Sequence, residues 1–473
     1  MKGSTQKTIS IFISIALAAM VGGCAIGPDY HRPAIDVGVA YKEDAAWKRA
    51  EPKDEIARGK WWQLFGDAEL NTLVAQIEVS NQSLKIAEAK YRQATALAQS
   101  SRAGLFPTIT AGASSSRSRA ASRGNVPAEV GTSHSANVGA DWEIDVWGRV
   151  RRQLESSNAS AAASAADLEA VRLSLQAELV TSYLQLRVSD AQKQMFDDTV
   201  VAYEKSLELT KNRYNVGVAA KADLVQADAQ LKSTIAQAID LGVQRAQLEH
   251  AIAVLIGKPP SVFSLSRAKF DLHMPVIPAG LPSTLLERRP DIAAAERRMV
   301  AANAQIGVAR AAYFPSLSFS AREGFSSATL AHWLSAPNRF WSLGPSAALT
   351  LLDFGKRGAA NDQAMASYDQ TVASYRQAVL DGLQEVEDNL AALRILEQEA
   401  VAQEDAVRAA RESVLLTTNQ YKAGTVSYLS VVTVQASLLS NERTAVSLLG
   451  RRLNASVGLI RALGGGWTMA ARP

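Results

Sequence analysis

Asp141, Glu143 and Asp145 form the densest run of potential chemistry in the sequence, three carboxylates at alternate positions. In an extended segment that spacing puts all three on one side, opposite Trp142, Ile144 and Val146. Such a row could draw cations to a wet face, or it could be scaffold whose carboxylates pair with arginines. Other candidate groups are too dispersed for a catalytic site. The five histidines, His31, His134, His250, His273 and His332, lack metal-ligand spacing. Gly464-Gly465-Gly466 has no following Lys-Ser/Thr, and Gly257-Lys258-Pro259 puts proline where a phosphate loop needs amides. These glycines read as a helix stop and a linker. No enzyme activity, resident metal or cofactor is expected.

The bulk properties of the 473 residues agree. Hydrophobic residues make up 47% but aromatics only 6%, and abundant Ala and Ser suit long helices packed closely together. Fifty basic and 46 acidic residues nearly cancel to +4, and no basic run with interleaved aromatics points to nucleic acid. Cys24 is the single cysteine, so no intramolecular disulfide can form. It follows a positive start (Lys2, Lys7), an apolar stretch from Ile9 to Val21, and Gly22-Gly23. The arrangement resembles a bacterial lipoprotein cleavage site: 1–23 would be removed and Cys24 acylated with a palmitate-type lipid. The alternative is an ordinary signal peptide and a free thiol. By resemblance to known lipoprotein sorting, Ala25-Ile26 rather than an acidic residue after the cysteine implies delivery to the outer membrane.

The elements that carry these groups are written twice. Phe106-Pro107 recurs as Phe314-Pro315, Trp147-Gly148-Arg149 as Phe354-Gly355-Lys356, and Tyr214-Asn215-Val216-Gly217 as Tyr421-Lys422-Ala423-Gly424, at spacings of 207 or 208 residues. This period is far too long for a solenoid and implies duplication of a whole unit. Each copy reads helix, strand pair, very long helix, turn, helix. Helical periodicity runs from Asp67 to Arg102. Ala136 to Val146 alternates without a break, Thr108 to Ser116 is a weaker partner, and Arg117 to Ser133 reads as an exposed loop. In the second copy Ser316 to Arg322 alternates, whereas Trp341 to Leu352 is interrupted by Pro345. Residues 149–216 and 383–423 lack glycine and proline; the first run would span roughly 100 Å as a helix. Both runs are too charged to cross a bilayer and are expected in water as coiled coil. Glycine in Val216-Gly217-Val218 and Ala423-Gly424-Thr425 supplies the reversal, and the returning helices run to about Ile256 and Leu463. The expected organisation is a signal peptide at 1–23, an N-terminal segment at 24–66, and a first repeat at 67–257 (strands about 105–147). A linker at 258–282, a second repeat at 283–463 (strands about 314–354) and a tail at 464–473 follow.

The strands have the length needed to cross hydrocarbon at a tilt. Four strands cannot close a barrel, and an open sheet would leave two edges unpaired in lipid, at several kcal/mol per group. Copies must therefore pool strands, two giving eight or three giving twelve; residue patterns alone do not choose. Five segments, Cys24-Ala25-Ile26-Gly27-Pro28-Asp29-Tyr30, Asp141 to Arg149, Arg288-Arg289-Pro290-Asp291-Ile292, Phe314-Pro315 and Ala462 to Trp467, resemble the TolC-like outer-membrane efflux family, lipoprotein (NodT-type) branch. The resemblance covers nearly the whole mature chain. It implies a fold that is mainly α with β, a long helical coiled-coil barrel plus a transmembrane β-barrel of twelve strands shared by a homotrimer. It also implies an outer-membrane, lipid-anchored protein extending into the periplasm, which docks onto a periplasmic adaptor and an inner-membrane RND-type transporter as the passive exit duct for small toxic compounds. Exit of protein through a type I secretion system is the alternative, and a lipid-anchored coiled-coil scaffold without a pore is another class. By the resemblance, the periplasmic gate includes Asp223, Ser430, Thr433 and Tyr421, and the turns Val216, Gly217, Val218, Ala423, Gly424 and Thr425 meet the adaptor. Relatives often carry aspartates where this chain has Ser430 and Thr433, and arginine where it has Val426. A gate closed by packing and neutral hydrogen bonds is expected.

Overall fold

A computed structural model describes residues 25–35, 41–43, 60–119, 121, 129–268, 274–275 and 289–465. The expected signal peptide, Cys24, much of the 258–282 linker, and residues 466–473 of the tail lie outside them. Two compact units are present, each gathering segments of both repeats: Met1–Ala34, Lys90–Ala165 and Ala294–Arg376 in one, Ile35–Ala89, Ala166–Ala293 and Gln377–Pro473 in the other.

The first unit holds one antiparallel sheet in the order β1-β2-β3-β4, with β1 at Thr108–Arg119, β2 at Val130–Glu143, β3 at Ser316–Ser327 and β4 at Arg339–Ala348. The two hairpins, one per repeat, join through β2 and β3, where Trp142 faces Phe319 and Ala140 faces Ala321. Pairing extends the strands beyond the alternating stretches. The polar run to Arg119 is drawn into β1, because Arg117 pairs with Thr132 and Arg119 with Val130; the expected loop Arg117 to Ser133 is shorter. At its other end β2 stops at Glu143, although alternation continues to Val146. There the Asp145 carboxylate accepts the N–H groups of Val150 and Arg151 at 3.0 and 2.9 Å and so opens the next helix. Pro345 lies inside β4, opposite Phe319. Within one copy β4 is an edge strand, so the missing donor breaks no ladder inside the four-stranded sheet.

The long helices are α3 (Arg149–Asn215), α4 (Lys221–Leu255), α6 (Lys356–Ala423) and α7 (Tyr428–Ala462). α6 begins well before residue 383, through Gly358 and Gly382; a helical glycine costs only about 1 kcal/mol. No helix of the described residues is long and apolar enough to cross a membrane. The periodic stretch from Asp67 to Arg102 is two helices, α1 (Ala68–Ser80) and α2 (Gln82–Ala103). Asn81 breaks it, its backbone extended and its side chain bonding the Leu255 carbonyl at 2.7 Å and the Leu84 N–H at 2.8 Å. A docking contact some 170 residues away thus overrides local helical preference.

The helical unit has an apolar core of Leu70, Ile77, Leu179, Leu184, Ile252 and Leu453, all essentially inaccessible. Trp61 and Trp62 pack edge to face in a 3-10 turn at Trp61–Phe65 and are buried. The Arg289-Pro290-Asp291 run opens α5 (Pro290–Ala311). There the buried Arg289 guanidinium binds Asp291, Glu385 at 2.7 Å and the Ala462 carbonyl at 3.2 Å, matching a desolvated charge with carboxylates.

Candidate functional site

The two turns at the far ends of the long helices are built alike. Gly217 and Gly424 have φ of +78° and +81°, a left-handed conformation that glycine adopts without penalty. Val218 N–H donates to the Arg213 carbonyl at 2.8 Å and Thr425 N–H to the Gln420 carbonyl at 3.0 Å, closing both helix ends. Val216, Gly217, Val218, Ala423, Gly424 and Thr425 are all exposed, Val216 at 73%. An apolar side chain so open at a turn is available to a partner.

Behind the turns, Ala227, Tyr421, Tyr428 and Val431 form a buried cluster, with Leu207, Val426 and Val432 against it. Tyr421 and Tyr428 meet edge to face at 5.3 Å. The Arg213 guanidinium lies 4.8 Å from the centre of the Tyr421 ring and donates to the Lys422 carbonyl at 2.9 Å. One arginine at the end of α3 therefore ties the first-repeat turn to the second. The hydroxyls of Tyr428 and Ser206 share a hydrogen bond of 3.1 Å. Burial, chiefly, raises the Tyr428 phenol above its ordinary pKa, with the nearby Tyr421 and Asp223 adding to the effect.

The residues named from sequence divide here. Tyr421 sits at the heart of the cluster, 4% exposed, and its hydroxyl has no hydrogen-bond partner among the described residues. Asp223 and Ser430 are half-buried on the first turns of α4 and α7, whereas Thr433 is exposed and bonds the Leu429 carbonyl of its own helix at 2.9 Å. Val426 packs on the apolar cluster. Arg213, Ser206 and Tyr428 escape sequence reading; the repeat draws attention to Tyr214, aligned with Tyr421, yet Tyr214 is 38% exposed.

The acidic row is split by the structure as well. Glu143 is bound by Arg149, whose Nε lies 2.8 Å from Oε1, and Asp145 is occupied by the start of α3 and by Arg151 at 3.2 Å. Asp141 alone of the three has no cationic partner among the described residues; it stands on the polar side of β2, between Thr108 and Ser320. At the strand–helix junction the Trp147 ring stacks on Phe314 at 4.8 Å and donates to the Pro315 carbonyl at 2.8 Å.

Residues 25–32, next to Cys24, are fastened to this junction. Ile26 N–H donates to the Trp147 carbonyl at 3.1 Å, and the Asn303 amide donates to the Pro28 carbonyl at 2.9 Å. The buried Arg152 reaches Asp29 at 2.9 Å, and Arg32 donates to the Tyr375 hydroxyl at 3.0 Å. Gly27, at φ +117°, passes so close to Gly307 that a Cβ would lie 2.6 Å from its Cα.

Comparison with known proteins concerns the chain as a whole. The family profile described as outer membrane efflux protein matches residues 73–258 and 281–465. The chain is 31% identical over 461 residues to the probable efflux pump outer membrane protein TtgC of Pseudomonas putida, covering 96% of this chain and 95% of that one. It is 31% identical over 471 residues to the pyoverdine export outer membrane protein OpmQ of Pseudomonas aeruginosa, covering 98% of each. A solved structure of the outer-membrane channel OprN superposes with a TM-score of 0.87 at 33% identity, covering 94% of this chain and all of that one.

Proposed function

The chain belongs to the outer membrane efflux protein family, and we propose on that footing that it is the outer-membrane channel of a tripartite efflux pump. The observation that carries the proposal is a four-stranded sheet whose edge strands, β1 and β4, are both unpaired, and one of whose sides exposes Ile109, Val138, Trp341 and Leu343. Exposed apolar groups on one side and serines, threonines and Asp141 on the other suit lipid outside and water inside. Leaving two edges open in hydrocarbon would cost tens of kcal/mol, more than the 5–15 kcal/mol stability of a typical domain. Three copies close the sheet at twelve strands and leave a passage, where eight would be filled by side chains.

In this reading Cys24 carries the lipid anchor. The hydrogen bonds of residues 26–32 hold the chain beside Trp147, where the strands end, at a level suited to a membrane interface. The exposed turns meet a periplasmic adaptor, and an inner-membrane transporter of the RND type supplies the energy. The cluster around Tyr421 is the gate, closed by packing and by the Arg213 contact and lacking an aspartate ring at Ser430 and Thr433. TtgC and OpmQ are named for efflux and export, which favours small compounds over type I protein secretion, and selection is left to the transporter. The test is direct: detergent-solubilised protein is expected as a trimer that conducts in discrete steps across a planar bilayer. A monomer that conducts nothing overturns the proposal.

A further inference from the structure

The outward side of the sheet is apolar near the strand–helix junctions and basic at its opposite end. The register places Ile109, Ala140 and Leu343 in one row of that side, Val138, Glu323 and Trp341 in the next, and Ala113, Phe325 and Arg339 in the one after. Strand residues alternate, so in β1 the series Ile109, Ala111, Ala113 ends on the same side with Arg117 and Arg119. Both are exposed, with no acidic partner among the described residues. Arg339, the first residue of β4, binds Glu323 on this side at 2.7 Å. All three arginines lie at the loop end of their strands.

β1 and β4 are the edges of the sheet and run in opposite directions, so β4 of one copy can pair antiparallel with β1 of the next. Thr108, Asp141, Ser320 and Gly344 form one row across the sheet, yet β1 begins at that row while β4 runs past it to Ala348. Successive strands are offset along their length, as a tilted barrel requires. Closure then gathers at each seam, on the outward surface, Arg339 of one copy and Arg117 and Arg119 of its neighbour. An arginine facing lipid costs about 2–4 kcal/mol at mid-bilayer and about 0–1 kcal/mol near the interface. Two unmatched guanidinium groups therefore belong at headgroup level, where a phosphate can take up their forked donors. Trp341, 73% exposed, is two residues from Arg339 on the same side, an aromatic suited to the boundary between acyl chains and headgroups.

We propose that each seam between copies is a binding site for the phosphorylated headgroup of an outer-leaflet glycolipid, made by Arg117 and Arg119 of one copy and Arg339 of the next. The proposal rests on the channel reading, because only closure between copies assembles the three. The experiment reconstitutes the full-length protein in nanodiscs containing a bis-phosphorylated glucosamine glycolipid and zwitterionic phospholipid, and counts retained glycolipid by native mass spectrometry. One molecule per seam is expected. Retention should fall at least fivefold in Arg117→Gln/Arg119→Gln and measurably in Arg339→Gln, and the dephosphorylated glycolipid should bind no better than the phospholipid. Equal retention by wild type and the double variant, or of the dephosphorylated glycolipid, overturns the site, as does full displacement by inorganic phosphate. Assembly mass and conductance of the same samples test the channel separately: a conducting trimer with equal retention removes only the lipid site, whereas a silent monomer removes the channel reading itself.

Discussion

Arg213 and Tyr421 show how little is needed to join two turns separated by about 200 residues. A guanidinium over an aromatic ring contributes about 0.5–2 kcal/mol, and its bond to the Lys422 carbonyl adds a charge-assisted contribution of about 1.5–3 kcal/mol before solvent screening. Arg213→Ala is expected to loosen the turn by about 1–3 kcal/mol, read as roughly 5- to 150-fold faster amide exchange in residues 420–428 and a higher resting conductance. Tyr421→Phe should leave both unchanged, because the hydroxyl it removes makes no bond among the described residues. A rise in conductance for Tyr421→Phe would mean that this hydroxyl bonds to another copy. The phenol of Tyr428 gives the cluster a pH limit. Its pKa is raised in the folded protein, so its stabilisation is complete below the ordinary phenol value of about 10 and is lost as pH rises through the folded value. Limited proteolysis at the turns should be flat from pH 7 to 9 and accelerate above 10, and Tyr428→Phe should abolish that acceleration.

Helices and turns raise a different question, namely where an element is allowed to stop. Gly217 has no atom within 4 Å of where a Cβ would stand, and Gly424 has only an Arg213 nitrogen at 3.9 Å. Gly217→Ala and Gly424→Ala should therefore cost only the left-handed penalty, about 1–2 kcal/mol each. Gly257 has a similar φ of +69°, but its Cβ would stand 2.3 Å from the Ser80 carbonyl oxygen. Gly257→Ala must push backbone apart and should lower the melting temperature of the solubilised protein clearly more than either turn variant. Equal shifts for the three would show that the α1–α4 junction yields easily. That junction is also where the periodic stretch from Asp67 to Arg102 misleads: apolar spacing continues through Asn81, and only its bonds to Leu255 and Leu84 reveal the break.

For the whole channel, what matters is the charge left unmatched along the passage. Glu143 and Asp145 are balanced by Arg149 and Arg151, leaving Asp141 on the polar side of each copy's sheet, with Arg322 on the same side opposite Gly139. In a closed assembly Asp141→Asn should shift the reversal potential toward lower cation preference, and adding Glu143→Gln should change it little further. A larger shift from Glu143→Gln than from Asp141→Asn would show that the Arg149 pair opens when copies assemble.

The sequence by itself determined the duplication, the strand alternation, the two long helical runs and the glycine turns. Each of these is a local property: side chains repeat every two or 3.6 residues, and a left-handed backbone asks for glycine. Tertiary structure alone decided how far β1 and β2 extend, where α6 begins, and why Asn81 interrupts a helix. It also decided that Tyr421 turns inward under Arg213 while the equivalent Tyr214 stays half-open. Those outcomes depend on partners as distant as Leu255 from Asn81 or Lys422 from Arg213, and the energy of a pairing or a buried contact is fixed only when the fold brings both sides together.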